Sequence, residues 1–195
     1  AYPLSKEEQQ QLDIEIPELE LFLETLAPSP TLLIAGGGHI ALPLCSMGKT
    51  LGFGVVVVDN RLDFANKERF PEADRVICGN FSEVLGSFPI NSGTYVIIVT
   101  RGHYNDEEAL RAVIDSNAAY IGMIGSSRKV KTIMGNLRES GIPEDRLEKV
   151  FAPIGLDIAA ETPAEIALGI LAEIVYLRRR GKAHPSSMKF GNKHR

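Results

Sequence analysis

The chain has 195 residues, 44% hydrophobic, 24% charged and 7% aromatic, an ordinary balance for a globular protein with a real core and unlike a disordered or collagen-like chain. Two cysteines, Cys45 and Cys78, exclude a disulfide framework, and no run approaches the ~20 apolar residues of a membrane-spanning helix. The net charge of −4 hides an asymmetry: residues 178 to 195 carry seven basic and no acidic side chains, whereas the preceding 177 hold 14 basic against 25 acidic, a balance of −11.

Residues 1–30 read as an acidic N-terminal extension in which Ile14 to Leu23 alternates like one strand, ended by the breaker Ala27-Pro28-Ser29-Pro30. The opening residues, Ala1-Tyr2-Pro3-Leu4-Ser5-Lys6, lack the basic start and apolar stretch of a secretory signal, so a reducing, cytoplasmic setting is expected. From Thr31 onward apolar runs alternate with helical periodicities. Thr31 to Ala35 and Val55 to Val58 are expected strands around a helix Ile40 to Leu51. Arg75 to Cys78 and Thr94 to Val99 follow as strands, then a helix Asp106 to Asn117, a strand Tyr120 to Ile124, and a helix Ser127 to Ser140 stopped by Gly141. The last helix opens at Thr162-Pro163-Ala164-Glu165, where Thr and Glu form a capping box with Pro at the first helical position, and runs to Leu177. Strands without a polar face, separated by helices, imply an α/β fold: a Rossmann-like doubly wound parallel sheet with helices on both faces, spanning 31–177. Residues 178–195 are expected to form a solvated basic tail.

Three loops at strand ends carry chemistry. The first, Gly36-Gly37-Gly38-His39-Ile40-Ala41, fits the dinucleotide fingerprint Gly-x-Gly-x-x-Ala: a tight turn at Gly36, close backbone approach to a diphosphate at Gly38, and a small Ala41 for helix packing, with helix N–H groups facing the anion. Asp59, 21 residues beyond Gly38, stands where a carboxylate binds ribose hydroxyls; Asn60 and Arg61 follow it. The acid favours an unphosphorylated ribose, as in NAD, whereas Arg61 suits the extra phosphate of NADP. The competing interpretation is a plain tight turn with a helix-capping Asp. The second loop, Thr100-Arg101-Gly102-His103-Tyr104-Asn105-Asp106, could offer Arg101 to an anion and His103 as a proton relay; alternatively Asn105 or Asp106 caps the next helix and Arg101 pairs with a neighbour. The third, Gly125-Ser126-Ser127-Arg128-Lys129, could be an anion cradle, or simply a Ser cap before solvated basic residues. Each cysteine reads first as a small buried apolar residue. No phosphate-loop Lys, Gly-x-Ser-x-Gly turn, His-Glu-x-x-His or Cys-x-x-Cys motif is present, so no catalytic or metal-binding set is assigned.

The strings Leu33-Ile34-Ala35-Gly36-Gly37-Gly38-His39-Ile40, Val58-Asp59-Asn60-Arg61, Thr100-Arg101-Gly102-His103, Tyr120-Ile121-Gly122-Met123-Ile124-Gly125-Ser126, Ala152-Pro153-Ile154-Gly155-Leu156-Asp157-Ile158 and Thr162-Pro163-Ala164-Glu165-Ile166-Ala167 resemble the Rossmann domain of the XdhC/CoxI family, the xanthine dehydrogenase accessory factors. The resemblance runs from about Leu21 to Val175. It implies an accessory protein that holds molybdenum cofactor, a phosphate-bearing pterin or its dinucleotide form, for insertion into the apo-enzyme of a molybdenum hydroxylase of the xanthine dehydrogenase type. By resemblance, Gly36, Gly38 and His39 line the phosphate turn, Asp59 and Arg61 the ribose edge, and Arg101, His103, Gly125 and Ser126 the far side; Gly37, Ile40, Asn60, Thr100, Gly102 and Arg128 complete the candidate set. Homo-oligomerisation is expected, and membrane or nucleic acid partners are not. Two other function classes remain open from the residues: an NAD- or NADP-dependent oxidoreductase with His103 as acid and base, and a nucleotide-sensing regulator whose basic tail engages a partner.

Overall fold

A computed structural model describes Tyr2–Pro3, Glu20–Leu21 and residues 30–180. Tyr2–Pro3 (β1) and Glu20–Leu21 (β2) pair antiparallel; the rest of the lead-in strand expected over Ile14 to Leu23, and the tail beyond Arg180, lie outside the described residues. The main sheet contains Thr31–Ala35 (β3), Gly54–Asp59 (β4), Arg75–Cys78 (β5), Thr94–Ile98 (β6) and Tyr120–Met123 (β7), in the order β5-β4-β3-β6-β7. All four pairings are parallel, so this is the doubly wound sheet that the alternating apolar runs imply. The switch point, where the order reverses, falls between β3 and β6.

The apolar runs are explained by burial on both faces. Leu32, Ile34, Val55, Val57, Tyr95 and Ile97 pack under helices α1 (Ala41–Thr50) and α6 (Pro163–Arg180). Leu33, Ala35, Val56, Val58, Val96 and Ile98 point the other way, beneath α2 (Phe81–Ser87), α3 (His103–Val113), α4 (Ser127–Glu139) and α5 (Glu144–Leu147). With successive side chains on opposite faces and both faces covered, neither set can be polar. Beyond β7 the chain returns for one parallel bridge, Gly122 to Phe151, so residues 151–160 leave from the same carboxyl edge as the other loops.

Two helix boundaries and two short helices differ from the sequence reading. Helix α3 begins at His103, because Gly102 takes φ +95° and turns the chain straight from β6 into the helix. Helix α6 continues through Arg178–Arg180, and the Arg178 guanidinium lies 5.3 Å from the Phe53 ring centre, so the basic segment starts on the helix. Helices α2 and α5, one to two turns each, were not expected. The capping box at Thr162 and Glu165 forms: the Thr162 N–H donates to Glu165 Oε2 at 2.8 Å and the Glu165 N–H to Thr162 Oγ1 at 3.3 Å.

Candidate functional site at the switch point

The parallel register aligns Ala35 with Ile98 and Ile98 with Met123, so the loops that follow these strands leave the sheet side by side. Gly36 has φ +109°, and a Cβ there would lie 2.5 Å from the Val99 carbonyl oxygen and 2.9 Å from Thr100 Cα. Only glycine fits, and its absence of side chain is what brings the first two loops into contact. A Cβ on Gly37 would strike the Phe64 carbonyl oxygen at 2.2 Å, while one on Gly38 would meet nothing within 4 Å. Gly36 and Gly37 are therefore packing glycines, and Gly38 faces open space.

The amide groups of this turn have distinct fates. The Gly36 N–H donates to the Val58 carbonyl at 2.7 Å and the Gly37 N–H to Asp59 Oδ2 at 2.8 Å. Among the described residues nothing accepts from the N–H groups of Gly38, His39 or Ile40, and α1 has no side-chain cap. Helix α3 also lacks one, whereas α4 is capped by Ser126, whose hydroxyl accepts the Lys129 N–H at 3.3 Å. Two helices thus present bare, partially positive N-termini at the switch point. His39 and His103 are exposed beside them, as are Arg101 and Tyr104, and among the described residues no carboxylate pairs with Arg101.

Asp59 is 1% exposed and its carboxylate is fully engaged. Besides Gly37 it accepts from the Arg61 N–H at 3.0 Å and from Arg61 Nε and Nη2 at 2.9 Å each. Burial alone pushes this carboxyl up, but the bonds from Arg61 and Gly37 outweigh it and hold the group below its usual value. In this arrangement Asp59 anchors the glycine turn, close to the plain-turn alternative, and leaves no free oxygen for a ribose. Arg61 stacks on Phe64, 3.7 Å from the ring centre; Asn60 is exposed next to it. Arg69, which carries no sequence signal, donates from Nε to the Gly37 carbonyl at 2.9 Å and holds the turn from its other side.

Between the second and third loops lies a buried network. Thr100 Oγ1 donates to Asp106 Oδ1 at 2.6 Å, and the Lys129 ammonium pairs with Asp106 Oδ2. Asp106 is inaccessible, and burial raises its pKa against the opposing pull of Lys129 and Thr100. Neither residue fits the expectation that Asp106 caps a helix or that Lys129 is solvated; together they brace α3 against α4. Gly125 lies over the Lys129 stem, a Cβ there meeting Cδ at 3.0 Å, and Ser126 and Arg128 are exposed. Beside them opens a cleft of about 590 Å³, walled by residues 124–127 and 153–160 with Ile166 and Gly169 behind. Among the described residues no three His, Cys, Asp or Glu side chains gather as a metal site, and no helix is long and apolar enough to cross a membrane.

A family model for the XdhC Rossmann domain matches residues 32–174, which includes all of these loops. The chain belongs to the XdhC family. It is similar to YqeB, an uncharacterized protein of Escherichia coli K12, at 31% identity over 86% of this chain and 32% of that protein. It is also similar to a probable xanthine dehydrogenase subunit from Bacillus subtilis 168, at 28% identity over 82% of this chain and 46% of the relative. Among solved structures, a crystal structure of a xanthine dehydrogenase from Bacillus halodurans superposes with a TM-score of 0.70 at 30% identity, covering 85% of this chain and 47% of that one. This XdhC chain therefore spans from about a third to just under a half of the length of these relatives.

Proposed function

We propose that this XdhC domain is an accessory module for a molybdenum hydroxylase of the xanthine dehydrogenase type, binding molybdenum cofactor, as molybdopterin or its dinucleotide form, at the switch point for delivery to the apo-enzyme. The observation that supports this most is the pair of uncapped helix N-termini. The free N–H groups of Gly38, His39 and Ile40, with the α1 dipole behind them, form an anion-binding concavity, and open space above Gly38 lets a phosphate reach the backbone. Arg101, two residues before α3, adds a cation that no carboxylate among the described residues pairs with.

These residues fit the phosphate-bearing end of such a cofactor. When bound, the group supplies the molybdenum and dithiolene chemistry of the enzyme it enters; this chain's residues hold its phosphate and orient it at the sheet edge. The occupied Asp59 disfavours a ribose contact at that edge for a pterin and a nicotinamide dinucleotide alike; the likeness to xanthine dehydrogenase proteins is what ranks the nicotinamide reading second. Native mass spectrometry of the protein mixed with molybdopterin, its dinucleotide forms, NAD and NADP tests the proposal. Retention of the pterin species is expected, and tight nicotinamide binding without pterin retention would overturn it.

A further inference from the structure

The cleft beside the third loop is built, not incidental. Residues 154–156 lie directly on the backbone of α6: a Cβ on Gly155, which has φ +94°, would be 3.2 Å from the Gly169 carbonyl carbon, and one on Gly169 would be 3.1 Å from the Leu156 carbonyl oxygen. The Leu156 N–H donates to the Gly169 carbonyl at 3.1 Å. The Gly155 N–H donates at 3.0 Å to the fully buried Glu173, which also accepts the Tyr120 hydroxyl at 2.5 Å. Burial, then Glu173, pushes that hydroxyl well above its usual value, so it stays a donor. One wall is thereby fixed to both the helix and the sheet, the preorganisation expected of a ligand pocket.

The walls are apolar, chiefly Ile124, Pro153, Leu156 and Ile166, and Ile158 stays 44% exposed at the rim. Ser126 and Ser127 also line the cleft. At the rim the Asp157 carboxylate accepts only the Ala159 N–H, at 3.4 Å, and pairs with no cation among the described residues. The volume of about 590 Å³ falls within the usual range for small-molecule sites, roughly 300–1,000 Å³. β7, whose outgoing loop forms one wall, is two strands from β3, about 10 Å along the edge, which is the scale of the phosphate-to-ring span of a nucleotide-sized ligand laid along the carboxyl ends of the strands.

We infer that this cleft is a ring subsite. It takes the flat heterocycle of the ligand whose phosphate end sits at Gly38–Ile40, with Leu156 and Ile158 against its face and Asp157 accepting from adjacent ring N–H groups, as on a 2-amino-4-oxopyrimidine edge. The inference rests on the proposed phosphate site and adds the location of the ring and the residues that select it. Adenine, which lacks that donor edge, is a poor fit.

Calorimetric titration with two probes tests this: inorganic pyrophosphate, and the diphosphate ester of 6-hydroxymethylpterin, which adds only the ring. The ester is expected to bind the unaltered protein at least about tenfold tighter than pyrophosphate, an increment of one hydrogen-bonded, partly buried ring. Asp157→Asn and Ile158→Ala, both at exposed positions, should each reduce ester affinity about five- to tenfold and leave pyrophosphate affinity unchanged. A ring that adds no affinity, or an ester affinity untouched by both variants, overturns the inference. Absence of pyrophosphate binding together with Asp157-dependent ester binding would instead overturn the phosphate site and leave the ring subsite standing.

Discussion

Replacing Asp59 by Asn keeps the size of the side chain and removes its charge, which isolates what the carboxylate does for the turn. Four N–H groups converge on two oxygens within 3.0 Å, and an amide offers one acceptor oxygen. If that oxygen stays on the Arg61 N–H and Nε, the new NH2 group confronts the Gly37 N–H and Arg61 Nη2, donor against donor. A buried N–H losing a charged acceptor costs about 1–3 kcal/mol. The Arg61 side chain is 33% exposed and can turn to water, so its share is about 0–1 kcal/mol. The expected loss is about 3 kcal/mol, a fall in Tm of about 6–12 °C for a chain of this size. The pH dependence has a definite sign. Because the folded-state pKa of Asp59 is held below its ordinary value, the stabilisation is present above the ordinary carboxylate range near pH ~4 and is lost as pH falls through the lower folded value. Urea unfolding followed by circular dichroism at pH 7, and then at steps down to the most acidic pH at which the fold persists, should show the gap between the two proteins closing. A gap below about 0.5 kcal/mol at pH 7, or one that does not narrow with acid, refutes the anchoring role.

Gly36→Ala should lose about 3 kcal/mol or more through the clash with Val99 and its left-handed φ, whereas Gly38→Ala should melt within about 0.5 kcal/mol of the unaltered protein while weakening pyrophosphate binding; equal melting of the Gly36 variant would contradict the turn geometry. Lys129→Met strands the buried Asp106 and should cost about 3 kcal/mol, most of it restored by adding Asp106→Asn; a double variant no more stable than the single one would show that the pair is not coupled. Cys45 is buried as the sequence reading expects, but Cys78, at the end of edge strand β5, is exposed; burial raises the Cys45 thiol to about 11, so in the native protein at pH 8 a maleimide should modify Cys78 and reach Cys45 only after unfolding, an outcome read by mass spectrometry of the labelled peptides. Ala159 has φ +54°, so Ala159→Gly should leave stability unchanged or raise it by up to about 1 kcal/mol, whereas Ala167→Gly within α6 should lower it by about 1 kcal/mol; thermal melts of the two compare the signs directly.

The sheet was readable because two-sided burial leaves no choice of residue along β3, β4 and β6. Helix α2 escaped because seven residues hold too few turns for a period, although Asn80 supplies a local cap signal, accepting from Ser82 and Glu83 N–H groups at 2.9 and 3.2 Å. The early start of α3 depends on the conformation of Gly102, which spacing does not reveal. At the site, Gly36, Gly38 and the strand-end placement of Asp59, Thr100 and Gly125 follow from pattern alone. What Asp59 does is a contact between segments 22 residues apart, and Arg69, Phe64 and Lys129 enter the site only through how loops fold back. The cleft wall at 153–160 has no periodicity; the purpose of Gly155 shows only when α6 is seen lying against it.

The claim that a phosphate-bearing ligand is held by bare backbone groups at the switch point is tested most directly by following backbone amide resonances in a 15N-labelled sample titrated with inorganic pyrophosphate. The N–H signals of Gly38, His39, Ile40 and His103 should move together along one saturable curve, with the Lys129 N–H, already satisfied by the Ser126 hydroxyl, far less affected. Saturable shifts confined to other surfaces, with those of Gly38 to Ile40 unmoved, would contradict it.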